Sequence, residues 1–175
     1  MPTYRVRVTS WWEGHPPADP HTGNWLVATH PKGQHIFQEG KVASPAVAET
    51  AMFGTLDGFP TFRFQDTHPV VPSPFKNVEL VVDADERSSQ LSLISMVAPS
   101  SDFFFGLDSV PLKGRRGNWK RRIMEPVFAY DAGSDPRNRF QNNPPGTPIQ
   151  TRDPIRRLRR GVPIPFGMAV IERIA

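Results

Sequence analysis

At 175 residues and 19.6 kDa the chain has the length of one ordinary domain, and 38% hydrophobic against 22% charged residues allows a core and excludes wholesale disorder. Its 20 prolines make up about 11% of the chain, roughly twice average usage, and argue against a helix bundle or a parallel α/β sheet. The absence of cysteine excludes disulfides, thiolate zinc sites and a cysteine nucleophile. No apolar run approaches the roughly 20 residues that cross a bilayer as a helix.

The net charge of +4 conceals an asymmetry. Residues 1–112 carry 7 Lys/Arg against 12 Asp/Glu, whereas residues 113–160 carry 13 against 4. That distribution predicts a basic surface suited to an anionic partner or simply to solubility.

In chain order, Tyr4-Arg5-Val6-Arg7-Val8-Thr9 alternates apolar and polar residues, the pattern of a half-buried strand. Residues 13–35 read as a long connection that holds four of the five histidines and Trp25, a loop either functional or pinned by its own aromatics. Ser44 to Gly54 reads as the one helix, with Ser44 as cap, Pro45 in the first turn and Gly54 as stop. A proline-punctuated loop follows over 55–76. Short apolar strands are expected at Val78–Val82, Leu91–Val97, Phe103–Leu107, Asn118–Tyr130 and Pro163–Ile174, with a Pro/Asn-rich loop over 131–154. One helix among many short strands predicts a single all-β domain over 1–175, an antiparallel β-sandwich with long Pro-rich loops.

The aspartates fall at strand ends. Asp83 closes one strand, Asp102 lies between two, and Asp131 and Asp135 frame the tight loop Asp131-Ala132-Gly133-Ser134-Asp135. Carboxylates gathered at one rim repel unless a cation offsets them, and an all-oxygen donor set suits calcium before magnesium. Aspartates of plain turns would show the same spacing.

The run Ser95-Met96-Val97-Ala98-Pro99-Ser100-Ser101-Asp102-Phe103-Phe104-Phe105-Gly106-Leu107-Asp108-Ser109 resembles the central motif of the spondin domain, found in F-spondin and mindin. Asp131-Ala132-Gly133-Ser134-Asp135 is similar to that family's D-A-G-T-D motif. The opening strand, His30 with Glu39-Gly40-Lys41-Val42-Ala43-Ser44, and Thr147 through Leu158 match further segments in order. The resemblance implies a sandwich of the calcium-dependent phospholipid-binding type with a Ca2+ ion at one rim. Its ligands would be Asp102, Asp131 and Asp135, with a fourth at Asp83, or else Asp85 or Glu86. It also implies a secreted, extracellular adhesion module without enzymatic activity, its signal peptide not in this chain. The partner would be a cell-surface or matrix protein, or an anionic glycan or lipid. Animal members carry cysteines; this chain has none, and it lacks N-x-[ST] sequons and Arg-Gly-Asp, a composition closer to a bacterial relative.

Other chemistries find less support. The basic runs Lys113–Arg116, Lys120–Arg122 and Arg156–Arg160 could neutralise phosphates, but no helix is available to enter a groove and no aromatic platform interleaves them, which disfavours nucleic acid. An anionic glycan or lipid could use the same 113–160 region without any metal. No G-x-S-x-G or H-E-x-x-H motif occurs, and the histidines are scattered. A glycosidase pair such as Asp102 and Asp131 is the remaining hydrolytic option.

Overall fold

The alternation at the N-terminus produces β1 (Thr3–Ser10), which buries Tyr4, Val6 and Val8 and leaves Arg5 and Arg7 outward. The computed structural model describes residues 1–13, 20–60, 62–71, 77–150 and 152–175; His15 and the start of the expected first connection therefore lie outside the described residues. Beyond β1 come β2 (His21–Thr22), β3 (Trp25–His30), α1 (Pro45–Phe53), β4 (Phe64–His68), β5 (Val78–Asp83), β6 (Gln90–Ala98), β7 (Phe103–Pro111), β8 (Arg122–Asp131), β9 (Arg156–Arg157) and β10 (Gly167–Arg173). Among the described residues the fold is all-β with one short helix, in line with the high proline content.

Antiparallel pairing runs in the order β4-β3-β6-β7-β8-β10-β1-β5, with β2 on β6 and β9 on β8. The sheet folds over on itself to make the two layers. β8 belongs to both: Arg122–Val127 pairs with β10, and Phe128–Asp131 pairs with β7. Its two terminal strands, β4 and β5, come together, and the Val81 amide donates to Asp66 Oδ2 at 2.9 Å across them. Between the layers Phe105 stacks on Phe166 with ring centroids 4.3 Å apart, and Trp25 packs against Phe105 at 4.7 Å.

The sequence missed β3 and β4, both placed in loops. All six residues of β3 are buried: Trp25 and Val27 face the inter-layer core, and Leu26 and Ala28 face a second core. That second core is roofed by Val47 and Ala51 of α1 together with Ile36, Phe37 and Phe62. A strand covered on both faces has no period-two signature. Helix α1 forms as expected, with the Ser44 hydroxyl accepting from the Val47 amide at 3.3 Å and Gly54 closing it at φ 71°.

Candidate metal rim

Asp102 lies in the turn from β6 to β7. Its own neighbours bind that turn: the Phe103 amide donates to Ser100 Oγ at 3.0 Å, and the Ser100 amide donates to Asn142 Oδ1 at 3.1 Å. The Asn143 side chain donates to the Ser101 carbonyl at 2.6 Å. Asp131 is the last residue of β8, directly paired with Phe103, so sheet register alone brings Asp131 beside Asp102. The loop after β8 then doubles back. The amides of Ser134 and Asp135 donate to Asp102 Oδ2 at 2.7 and 2.9 Å, and the Ala132 amide donates to the Asp102 carbonyl at 3.0 Å.

Asp102 is fully buried, and Asp131 and Asp135 are each 3% exposed. Burial, reinforced by the Asp131 carboxylate, pushes the Asp102 carboxyl up to about 6 despite its backbone amides. Asp135 goes the other way: the Arg137 guanidinium holds its carboxyl below the usual range. Arg137 Nε donates to Asp135 Oδ1 at 2.8 Å and to Oδ2 at 3.0 Å, its terminal nitrogen also reaches Oδ2, and that nitrogen donates to Asn143 Oδ1 at 2.6 Å. Asp131 Oδ1 accepts from the Gly133 amide at 2.7 Å, while Oδ2 faces the Arg156 guanidinium at 3.3 Å. Ser134 Oγ, in the same loop, is buried without a hydrogen-bond partner.

Three of the four aspartates singled out in the sequence thus meet at this rim. Asp83 does not. It pairs with Thr3 at the end of the sandwich where β8 begins, whereas Asp131 ends β8. Ten residues of strand place the two roughly 30 Å apart. There Thr3 Oγ1 donates to Asp83 Oδ1 at 2.6 Å. Its alternates are at the same far end, where Asp85 pairs with Arg63 at 2.8 Å and Glu86 with Lys113. Strand direction is the cause: successive strand ends in an antiparallel sheet alternate between rims, and Asp83 ends β5 at the rim where β6 starts.

Reading the sequence alone overlooked the cations. Arg137 and Arg156 hold Asp135 and Asp131, so among the described residues no three carboxylate or imidazole side chains converge as a ready metal cage. The donor set still fits a hard cation: Asp102 and Asp131 are buried carboxylates, of which only Asp131 has a guanidinium partner, and an orphaned hydroxyl lies in the adjoining loop. Asp135 can join only by exchanging Arg137.

The basic segment 113–160 does not form one surface. Arg115 and Arg116 sit on the turn between β7 and β8, with Lys120–Arg122 beside them at the Asp83 end, whereas Arg156–Arg160 lie at the Asp131 end. Ser109, His35 and Asp108 do not form a hydrolytic triad either. Ser109 Oγ and Asp108 Oδ2 approach the same ring nitrogen of His35, Nδ1, at 3.1 and 2.5 Å, so this trio cannot relay a proton across the imidazole. Asp102 is sealed from solvent and cannot meet a glycoside.

Residues 3–165 match the Spondin_N family model. The chain belongs to the Spondin_N family. Spondin-1 of Xenopus laevis is 26% identical over 197 residues, covering 87% of this chain and 24% of that protein. Spondin-2 of Rattus norvegicus is 33% identical over 67 residues, or 38% of this chain and 20% of that protein, and Spondin-2 of Homo sapiens is 34% identical over 68 residues. The chain spans about a quarter or less of the length of these relatives. The carboxylates and arginines of the rim all lie inside the Spondin_N match, while β10, which pairs with both β1 and β8, lies beyond it. No helix among the described residues of this Spondin_N domain is long and apolar enough to cross a membrane.

Proposed function

We propose that this Spondin_N domain is an extracellular recognition or adhesion module, not an enzyme, whose presenting rim is ordered by a calcium ion held by Asp102, Asp131 and Asp135. The partner is a cell-surface or matrix protein, or an anionic glycan or lipid. The observation that carries the metal reading is Asp102, a fully buried carboxyl raised to about 6 against the Asp131 carboxylate. Ionising the buried Asp102 beside that neighbour at neutral pH is costly, and a divalent cation offsets that cost. The ion would supply charge neutralisation and would tie the β6–β7 turn to the 131–135 loop; the chain's own amides already orient Asp102 toward that loop.

Extracellular calcium modules bind with dissociation constants of about 0.1–1 mM. At about 10 mM calcium, mass action then adds about 1.4–2.7 kcal/mol. For a domain of this size that is a rise in Tm of roughly 3–10 °C over chelator. Asp131→Asn is expected to abolish the rise. A wild-type melt unmoved by calcium would overturn the metal reading and leave a rim held by arginines.

Arg137 competes for Asp135. Arg137→Gln removes the competitor, so it is expected to lower Tm in chelator and to tighten calcium binding several-fold by titration calorimetry. Unchanged calcium affinity in this variant would remove Asp135 from the ligand set.

A further inference from the structure

A groove of about 760 Å³ opens beside Asp131 at this rim. Its basic lining is entirely arginine: Arg156, Arg157, Arg159 and Arg160 come from β9 and the residues that follow it. The acids within the groove are already paired. Asp131 faces Arg156, and Glu39 accepts from Arg157 at 3.0 Å, with the Arg157 guanidinium lying 3.9 Å over the Phe128 ring. Arg159 and Arg160 are exposed and have no ion-pair partner among the described residues. Two charges are thus left over for a ligand. Apart from the exposed Asn138 the rest of the lining carries no polar side chain, with Phe140 and Leu158 half-buried and Phe140 braced edge-on by Phe103 at 5.2 Å.

We infer that this groove binds a sulfated oligosaccharide. Planar guanidinium forks match the paired oxygens of sulfate and carboxylate better than ammonium groups do. A single aromatic wall suits the C–H face of a sugar ring, whereas strand-like nucleic acid uses several stacking rings. The surface is concave, whereas membrane docking favours protruding apolar groups. Arg159 and Arg160 contact none of the rim carboxylates, so their two charges are available to the ligand with or without calcium.

The test is fluorescence polarisation with a labelled, sulfated heparin-derived hexasaccharide at 150 mM NaCl in chelator, which also prevents calcium bridging. The wild type is expected to bind, and the double variant Arg159→Glu/Arg160→Glu to bind at least tenfold more weakly with an unchanged Tm. Arg115→Glu/Arg116→Glu, an identical charge change at the opposite end, is expected to alter affinity less than twofold. Equal loss in both double variants would overturn the site as non-specific electrostatics. No binding by the wild type, undiminished binding of the desulfated hexasaccharide, or binding only to phosphatidylserine vesicles would overturn it too. Because the assay runs in chelator, failure of the calcium melt would leave this result standing.

Discussion

In chelator at pH 7, Asp102→Asn is expected to melt several degrees above the wild type, and the advantage is expected to vanish by about pH 4. Asp102 has a carboxyl pushed up to about 6 in the folded protein from an ordinary 3.8. Between those values the native state holds a proton that the unfolded chain has released. Stability therefore falls as pH climbs through this window and stays lowered above it, by about 3 kcal/mol. Asparagine keeps an oxygen for the Ser134 and Asp135 amides and carries no charge to repel Asp131. Asp102→Ala separates the two effects, since it orphans both buried amides at about 1–3 kcal/mol each and should melt well below Asp102→Asn at every pH. Asp135 titrates in the opposite sense. Its lowered carboxyl contributes stability above the ordinary carboxylate range and loses it as pH falls below that range. Melts of wild type and Asp102→Asn between pH 4 and 8 decide the matter, and parallel curves would show that Asp102 is not the raised group. Asp102→Asn should also lose the calcium response.

Gly133→Ala is expected to lower Tm by roughly 5–15 °C and to remove the calcium response with it. Gly133 stands at φ 67°, and a Cβ there would lie 2.3 Å from the carbonyl oxygen and 2.8 Å from the carbonyl carbon of Asp153. Those atoms are backbone, clipped to Gly133 by the Asp153 amide donating to the Gly133 carbonyl at 3.0 Å, so neither side can step aside cheaply. Left-handed strain of about 1–3 kcal/mol and overpacking of about 1–3 kcal/mol combine to set the size of the effect. Gly40→Ala is the control, with a similar φ of 85° but open space around it, so only the conformational cost remains. Equal losses for the two variants would show that the contact with Asp153 is immaterial.

How much of the site could be read beforehand depended on whether the signal was local. Asp102, Asp131 and Asp135 were legible because each sits in a short motif at a strand end, and the β7–β8 register turns that into proximity. Asp83 carried the same local signal and lies at the other rim, since the pattern of one strand does not reveal which end of the sheet it reaches. Arg137 was two residues from Asp135 in plain view, yet its bidentate grip depends on how the 135–143 loop folds back onto Asn143. The charge count over 113–160 had a similar fate, because β8 runs the length of the sandwich and carries its flanking basic clusters to opposite ends.

By itself the sequence determined the family, the all-β class, the single helix with its caps and the strands that alternate. Those features rest on period, turn chemistry and ordered motifs, which neighbouring residues specify. Only the tertiary structure decided that β3 is a strand buried on both faces, that three aspartates rather than four share a rim, and that arginines occupy two of them. It also separated the Arg156–Arg160 groove from the rest of the basic charge. Each of these depends on which distant segments pack together, and burial and Coulombic coupling between such segments leave no local mark on the chain.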